Sequence, residues 1–405
     1  MFEKSRRAGT LLLDGATGTN LYLCGLPQGV CVEEWILSHP QAILDLQSGF
    51  AAAGSDAVYA PTFGANRIKL AHYGLSDRTA ELNKALVKLS KEAAPGCYIG
   101  GDLSPTGTFL EPFGESTLDE VVMAYREQAE ALNEAGVDFF AVETMMSLAE
   151  ARAAVLGCRD FGKPVFVTIT VNEEGRTLTG ASLENVLAVM QELGVSACGL
   201  NCSCPPAKLY SHVKQAMQLA KIPLIVKPNA GMPDPSRPGH YDLTPEQMAA
   251  DMKKLVEGGV SIIGGCCGNR EAHIAALREM LDHADIKPFV PERTGDILLA
   301  DESTLYRLKP GYIRFSEEIP CDEELMDSLL DALDDEADCA LVRVNTEEEA
   351  HLLMTEAAQV HIPICVASEN EAALRRAAFL YTGRLMVKTD CGISCAEYGA
   401  VPYEE

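Results

Sequence analysis

The chain has 405 residues, 47% hydrophobic and 23% charged, a balance that excludes wholesale disorder and suits two or three domains, or one large barrel with a smaller partner. Its 33 basic and 59 acidic side chains leave a net charge of −26, which argues against nucleic acid or an anionic membrane as partner. No apolar run approaches the roughly 18–20 residues of a bilayer span, and the one near the start is too short for a secretory signal, so a cytoplasmic protein is expected.

In chain order, short apolar or β-branched runs occur at 10–14, 57–62, 98–103, 139–144, 164–170, 197–203, 223–229 and 261–267. Stretches of helical period alternate with them at 40–53, 77–93, 117–135, 148–160, 183–193, 207–219, 245–257 and 270–281. Thr244-Pro245-Glu246-Gln247 is a helix start, with a capping residue, a first-turn proline and a glutamine placed to cap back. Gly54, Gly136, Gly194 and Gly259 fit helix C-caps. Eight strand–helix units predict an α/β fold, a (β/α)8 TIM barrel over residues 1–288. The rival, an open doubly wound sheet, favours a glycine-rich phosphate turn after its first strand, and no such motif is present.

Past residue 291 the rhythm shortens. Strands are expected at 297–300, 312–315, 339–344, 362–366 and 385–388, with helices near 323–333, 347–359 and 370–380. These define a small α/β module over 289–405, joined by a linker at 287–293 that carries two prolines. Residues 291–405 hold 9 basic and 25 acidic side chains, a net −16 that leaves −10 for the rest. This face could steer a partner, although a merely solvated acidic surface is the commoner meaning of such a bias.

In a barrel the reactive groups sit on the loops that follow the strands. Acids close the first, third and fourth strands (Asp14, Asp102, Glu143), and thiols close the sixth and eighth (Cys202 and Cys204; Cys266 and Cys267). Fourteen cysteines in a chain this long read as reduced thiols, some available to a metal. The glycine-flanked pair Cys266-Cys267 together with Cys202 supplies three thiolates, a set that suits zinc with one open position and disfavours magnesium or calcium. Cys204 competes for the strand-six place, since residues i and i+2 share a face; Cys202 is preferred. A metal with three thiolates is a poor activator of water but suits an incoming thiol, which it keeps as a thiolate at neutral pH. Asp14 and Glu143 could hold an ammonium group and the amides of the turn after Asp14 a carboxylate, which together select an amino acid bearing a thiol.

The motifs Asp14-Gly-Ala-Thr-Gly-Thr, Phe63-Gly-Ala-Asn-Arg, Val142-Glu-Thr-Met, Gly199-Leu-Asn-Cys-Ser, Pro228-Asn-Ala-Gly-Met-Pro, Tyr241-Asp-Leu-Thr-Pro-Glu and Gly264-Gly-Cys-Cys-Gly follow one another through residues 8–283. This series resembles the homocysteine S-methyltransferase family, most closely the homocysteine-binding domain of cobalamin-dependent methionine synthases. The resemblance implies a zinc barrel with Cys202, Cys266 and Cys267 as ligands, and with the side-chain oxygen of Asn229 in the fourth position until homocysteine arrives. It implies that Asp14 and Glu143 contact the homocysteine amino group and that the turn at Ala16 and Thr17 meets its carboxylate. One departure is Ala60-Pro61-Thr62-Phe63, where the family usually carries an asparagine before the Thr-Phe pair.

The implied reaction moves a methyl group to the homocysteine thiolate and yields methionine. The chain has no D-x-H sequence by which such proteins ligate a corrinoid, so a methylcobalamin or methyltetrahydrofolate donor is expected from a separate corrinoid protein. The tail faintly resembles part of a folate-binding barrel, but five strands cannot close one. Betaine and S-methylmethionine are the alternative donors, and a non-catalytic zinc-thiolate sensor or scaffold is the alternative role. Cys391 and Cys395 are expected to be ordinary thiols.

Overall fold

A computed structural model describes residues 9–234, 236–237, 239–291, 295–389 and 392–403, the side chain of residue 389 excepted. Arg293, at the end of the expected linker, and Cys391 lie outside the described residues.

Eight parallel strands form one sheet: β1 (Leu11–Leu12), β2 (Ala57–Tyr59), β3 (Tyr98–Leu103), β4 (Phe139–Met145), β5 (Val165–Ile169), β6 (Ala197–Cys202), β7 (Leu224–Pro228) and β8 (Ile262–Ile263). From β2 to β8 each strand pairs with its sequence neighbour and β1 pairs with β8, so the sheet curls into the expected (β/α)8 barrel with one unladdered seam, between β1 and β2. Side-chain carboxylates help to bridge that seam. Asp56 donates its amide to Leu12 O at 2.7 Å and its Oδ2 accepts from Leu12 N at 2.9 Å, while Asp14 Oδ2 accepts from Tyr59 N at 2.8 Å.

Inside the ring, Leu11, Leu13, Tyr59, Phe139, Phe166 and Ile225 fill the barrel as a packed core. Around it run α1 (Gly18–Leu23), α2 (Val32–Ser38), α3 (Pro40–Ala52), α4 (Arg67–Ala71), α5 (Thr79–Ala93), α6 (Leu118–Glu134), α7 (Leu148–Cys158), α8 (Leu183–Met190), α9 (Pro206–Met217), α10 (Pro245–Glu257) and α11 (Glu271–His283). Eight of these match the expected helices, and Thr244 with Gln247 closes the predicted capping box on α10. The short helices α1, α2 and α4 lie within the first two strand-to-helix connections; five to seven residues carry too little periodicity to be read from sequence.

A second module follows. β9 (Ile297–Ala300) and β10 (Leu305–Leu308) make an antiparallel hairpin. Next come β11 (Ile319–Pro320), α12 (Leu325–Asp334), β12 (Ala340–Arg343), α13 (Glu347–Ala357), β13 (Ile364–Ser368), α14 (Glu371–Leu380), β14 (Met386–Thr389) and β15 (Val401–Pro402), whose strands form a parallel sheet in sequential order. The strand expected at 312–315 is absent: only Phe315 bridges to Cys339, after the turn at Gly311 (φ 78°) leaves Tyr312 84% exposed. Such a sequential sheet does not close on itself and leaves one face without helices. The hairpin covers it, packing Leu299, Ile297 and Tyr306 against Cys339, Cys365 and Met386.

Arg152 of α7 docks the two sheets. It is 1% exposed and donates to the carbonyls of Phe379, Ala378 (2.6 Å) and Tyr398 (3.4 Å), placing a cation at the negative end of α14. Burial pushes the guanidinium down to about 9, so it stays charged at neutral pH. Arg152→Met should cost about 3 kcal/mol, because it strands buried carbonyls. Limited proteolysis should then release the C-terminal module well before the barrel is cut.

Candidate metal centre and amino-acid clamp

The barrel topology puts β6, β7 and β8 side by side, and their ends lie level. Cys202 is in register with Pro228, and the amide of Cys266 donates to Pro228 O at 2.9 Å. Sulfur atoms from residues 65 apart thus meet at one mouth. The sulfurs of Cys202, Cys266 and Cys267 all lie within 4.8 Å of one another, with Cys202 Sγ to Cys267 Sγ at 3.9 Å. Zinc–sulfur bonds of about 2.3 Å in a tetrahedron separate sulfurs by about 3.8 Å, so the cluster fits that ion with little movement. Among the described residues it is the one group of this kind. Cys204 is buried outside it.

The local backbone is built for convergence. Cys202 and Ser203 sit in left-handed conformations (φ 54° and 60°), as does Thr144 (φ 62°) at the end of β4. Such geometry costs of order 1–3 kcal/mol per non-glycine residue and persists only where the surroundings hold it. Asn201 does some of that holding: its Oδ1 accepts from Thr144 N at 2.9 Å and its Nδ2 donates to Thr144 Oγ1 at 2.7 Å, with Cys266 Sγ 3.9 Å away. Asn269 ties down the cysteine loop through Nδ2 to Pro228 O (3.0 Å) and Cys266 O (2.9 Å). Gly268 (φ 81°) is required there, since a Cβ would press on the Tyr241 ring at 2.3 Å. Hydrogen bonds from Cys202 and Cys266, with a further one involving Tyr241, pull the Cys267 thiol far below its usual range, and the cluster ionises there first.

Beside the sulfurs lies an acidic clamp around a lysine. Lys227 on β7 is buried, with Nζ 3.4 Å from Asp14 Oδ1, 3.3 Å from Glu143 Oε2 and 3.6 Å from the centre of the Tyr59 ring. Asp102 lines the same cavity, and its buried Oδ1 has no hydrogen-bond partner. Burial pushes Asp14 up to about 6; it also raises Asp102 and Glu143, with the Glu143 charge adding to the effect on Asp102. Burial works against the Lys227 ammonium too, yet the charges of Glu143 and Asp14 outweigh it and raise its pKa. Glu33 and Lys69 line the same cavity, so four carboxyl groups stand against two ammonium groups, which leaves room for a further cation.

The cavity over these groups holds about 530 Å³ and is lined by Asp14 through Thr19, Glu143, Cys202, Lys227, Cys266 and Cys267, among others. Ala16 and Thr17 are among the residues that line it. The Ala16 amide already donates to Asn269 O at 3.1 Å, which leaves Thr17 and the residues after it as the donors this turn can offer. Asn229 follows β7, is buried, and keeps an unpartnered Oδ1, an atom whose chemistry suits a fourth ligand; it does not line the cavity. The sequence alone assigns no role to Lys227, Asn201 or Tyr241. Lys227 had a signal, as a charge interrupting the apolar run Leu224-Ile-Val.

A barrel with a thiol triad and an acidic clamp at its mouth defines a class of sulfur-handling enzyme. A model of the family described as Homocysteine S-methyltransferase matches residues 11–281, and the chain belongs to that family. It is 33% identical over 301 residues to methionine synthase of Mycobacterium tuberculosis, which covers 69% of this chain and 25% of the relative. The methionine synthase of Mycobacterium leprae is likewise 33% identical, over 64% of this chain and 23% of its own length. The chain therefore spans about a quarter of these relatives. The fold is similar to that of the homocysteine methyltransferase MmuM of Escherichia coli in its metallated form, with a TM-score of 0.58 and 23% identity over 67% of this chain and 96% of that one.

Proposed function

We propose that this protein is a zinc-dependent methyltransferase that converts homocysteine to methionine, with Cys202, Cys266 and Cys267 as metal ligands and Asn229 as the fourth. The observation that carries the reading is the meeting of three sulfurs beside an acidic clamp short of one cation. Zinc bound there would accept the homocysteine sulfur and keep it as a thiolate at neutral pH. The chain's own groups do the rest. Asp14 and Glu143 receive the substrate ammonium, with Asp102 adding charge and Lys227 keeping the acids ionised. The amides from Thr17 onward take the carboxylate, and the αL turns at Thr144 and Cys202 hold the reacting end in line. A non-catalytic metal holder would have no use for such a clamp.

The donor is read from the rim. Among the described residues, most of the exposed large apolar side chains stand on the strand-to-helix connections, and Tyr22, Leu23, Phe63, Tyr73 and Met232 do so apart from the cavity beside the C-terminal module. A broad apolar rim suits a macromolecular carrier, so the methyl group is assigned to a methylcorrinoid or methyltetrahydrofolate system brought by another chain. The unclosed sheet supports reading residues 289–405 as a separate, truncated folate-barrel-like module after a barrel unit of residues 1–288. Twelve described cysteines outside any disulfide suit a cytoplasmic setting. No helix among the described residues is long and apolar enough to cross a membrane.

The test is methionine formation by zinc-loaded protein and homocysteine, offered methylcobalamin, methyltetrahydrofolate with a corrinoid protein, betaine and S-methylmethionine in turn. Turnover is expected with the corrinoid donors. Turnover with betaine or S-methylmethionine alone would replace the donor, and none with any donor would favour the sensor.

A further inference from the structure

A second cavity, of about 680 Å³, opens between the barrel rim and the C-terminal module and shares only Gly107 with the thiol mouth. Its volume falls in the range of small-molecule sites, roughly 300–1,000 Å³. One wall is apolar and aromatic: Phe109, Phe113 and Leu178, 56%, 70% and 67% exposed. The other is polar and held rigidly. Glu302 accepts from the amides of Leu148 (2.8 Å) and Ala149 (3.0 Å) and from the Thr179 hydroxyl. Asp301 accepts from the amides of Ser303 and Thr304 at 2.7 Å and from Tyr306 Oη at 2.6 Å.

Asp301 Oδ2 also lies 2.9 Å from His361 Nδ1. A carboxylate at Nδ1 holds the neutral imidazole proton there, so Nε2 is left as an acceptor on a largely exposed ring. Among the described residues no lysine or arginine lines the cavity, whereas Glu111, Glu150, Asp301 and Glu302 do. Burial, with the Asp301 charge beside it, pushes Glu302 up to about 7, as expected for a carboxyl without a counter-ion.

We propose that this cavity is a second binding site, distinct from the methyl-transfer mouth, for a flat heteroaromatic molecule that carries N–H donors and a cationic rather than an anionic group. The ring stacks on Phe109 and Phe113, an N–H donates to His361 Nε2, and the cation faces Asp301 and Glu302. Anionic ligands are rejected because nothing basic lines the walls.

The full chain titrated calorimetrically with tryptamine and with indole-3-acetate, one ring system bearing opposite charges, tests this directly. Tryptamine should bind at least about tenfold more tightly, and Phe113→Ala and His361→Ala should each weaken it about fivefold or more. Both replaced side chains are exposed and outside the thiol mouth, so homocysteine binding should stay unchanged; the result stands or falls apart from methyl transfer. Equal or tighter binding of indole-3-acetate, no tryptamine binding at millimolar concentration, or tryptamine affinity unchanged by either substitution would overturn the proposal.

Discussion

Cys266→Ala will lose both bound zinc and methyl transfer, the latter by at least about three orders of magnitude. With Cys266 gone, the mouth keeps two sulfurs, Cys202 and Cys267, 3.9 Å apart. Two thiolates and an amide oxygen bind zinc far more weakly than three thiolates, and the site no longer holds a sulfur substrate ionised. The fold should survive, since Cys266 lies in the loop between β8 and α11 rather than in the barrel core, and circular dichroism checks that. Cys204→Ala is the matched control: its sulfur lies outside the cluster, so zinc content and turnover should stay near wild type. Metal analysis after dialysis, read beside methionine formation, separates lost binding from lost chemistry. A Cys266→Ala protein that keeps full activity without metal would end the proposal.

Lys227→Met should destabilise the protein by about 3–5 kcal/mol at pH 7, because removing one partner of a buried ion pair leaves the others uncompensated. Asp14 and Glu143 would then lose the ammonium that touches them both, with Lys69 the one lysine left, among the described residues, lining the cavity they share with Asp102. The pH dependence marks the cause. All three acids already have raised pKa values, Asp14 about 6, so the folded state binds more protons than the unfolded chain between their ordinary range and those values. Their contribution therefore costs stability as pH rises through that window and is relieved as pH falls. Without the ammonium the shifts grow, so the gap between variant and wild type should narrow from pH 7 to pH 5 in urea unfolding. A gap that stays constant over that range would assign Lys227 a packing role only.

Much of this was legible in sequence because it rests on period and position. Alternating apolar runs and helical stretches fix a barrel, and a barrel fixes which residues share a rim. Cys202 and the pair at 266–267 could therefore be placed together before their register across Pro228 was seen. The shorter features were not legible. The strand β9 was expected at its observed bounds, but its hairpin partner β10 and the two-residue strands β11 and β15 carry too few residues for a pattern, and the apolar letters at 312–315 mimicked a strand that the turn at Gly311 prevents. Lys227 was visible as a charge in an apolar run, but its role depends on Asp14, Glu143 and Tyr59 arriving from three other strands. Asn201 and Asn269 escaped notice because an amide's task is set by the backbone groups it meets in space.

X-ray absorption at the zinc edge of the loaded protein, before and after homocysteine, tests the central claim most directly. Three sulfurs and one oxygen or nitrogen are expected at rest, becoming four sulfurs with homocysteine present. Two or fewer protein sulfurs at rest, or a coordination shell that homocysteine leaves unchanged, would contradict the account.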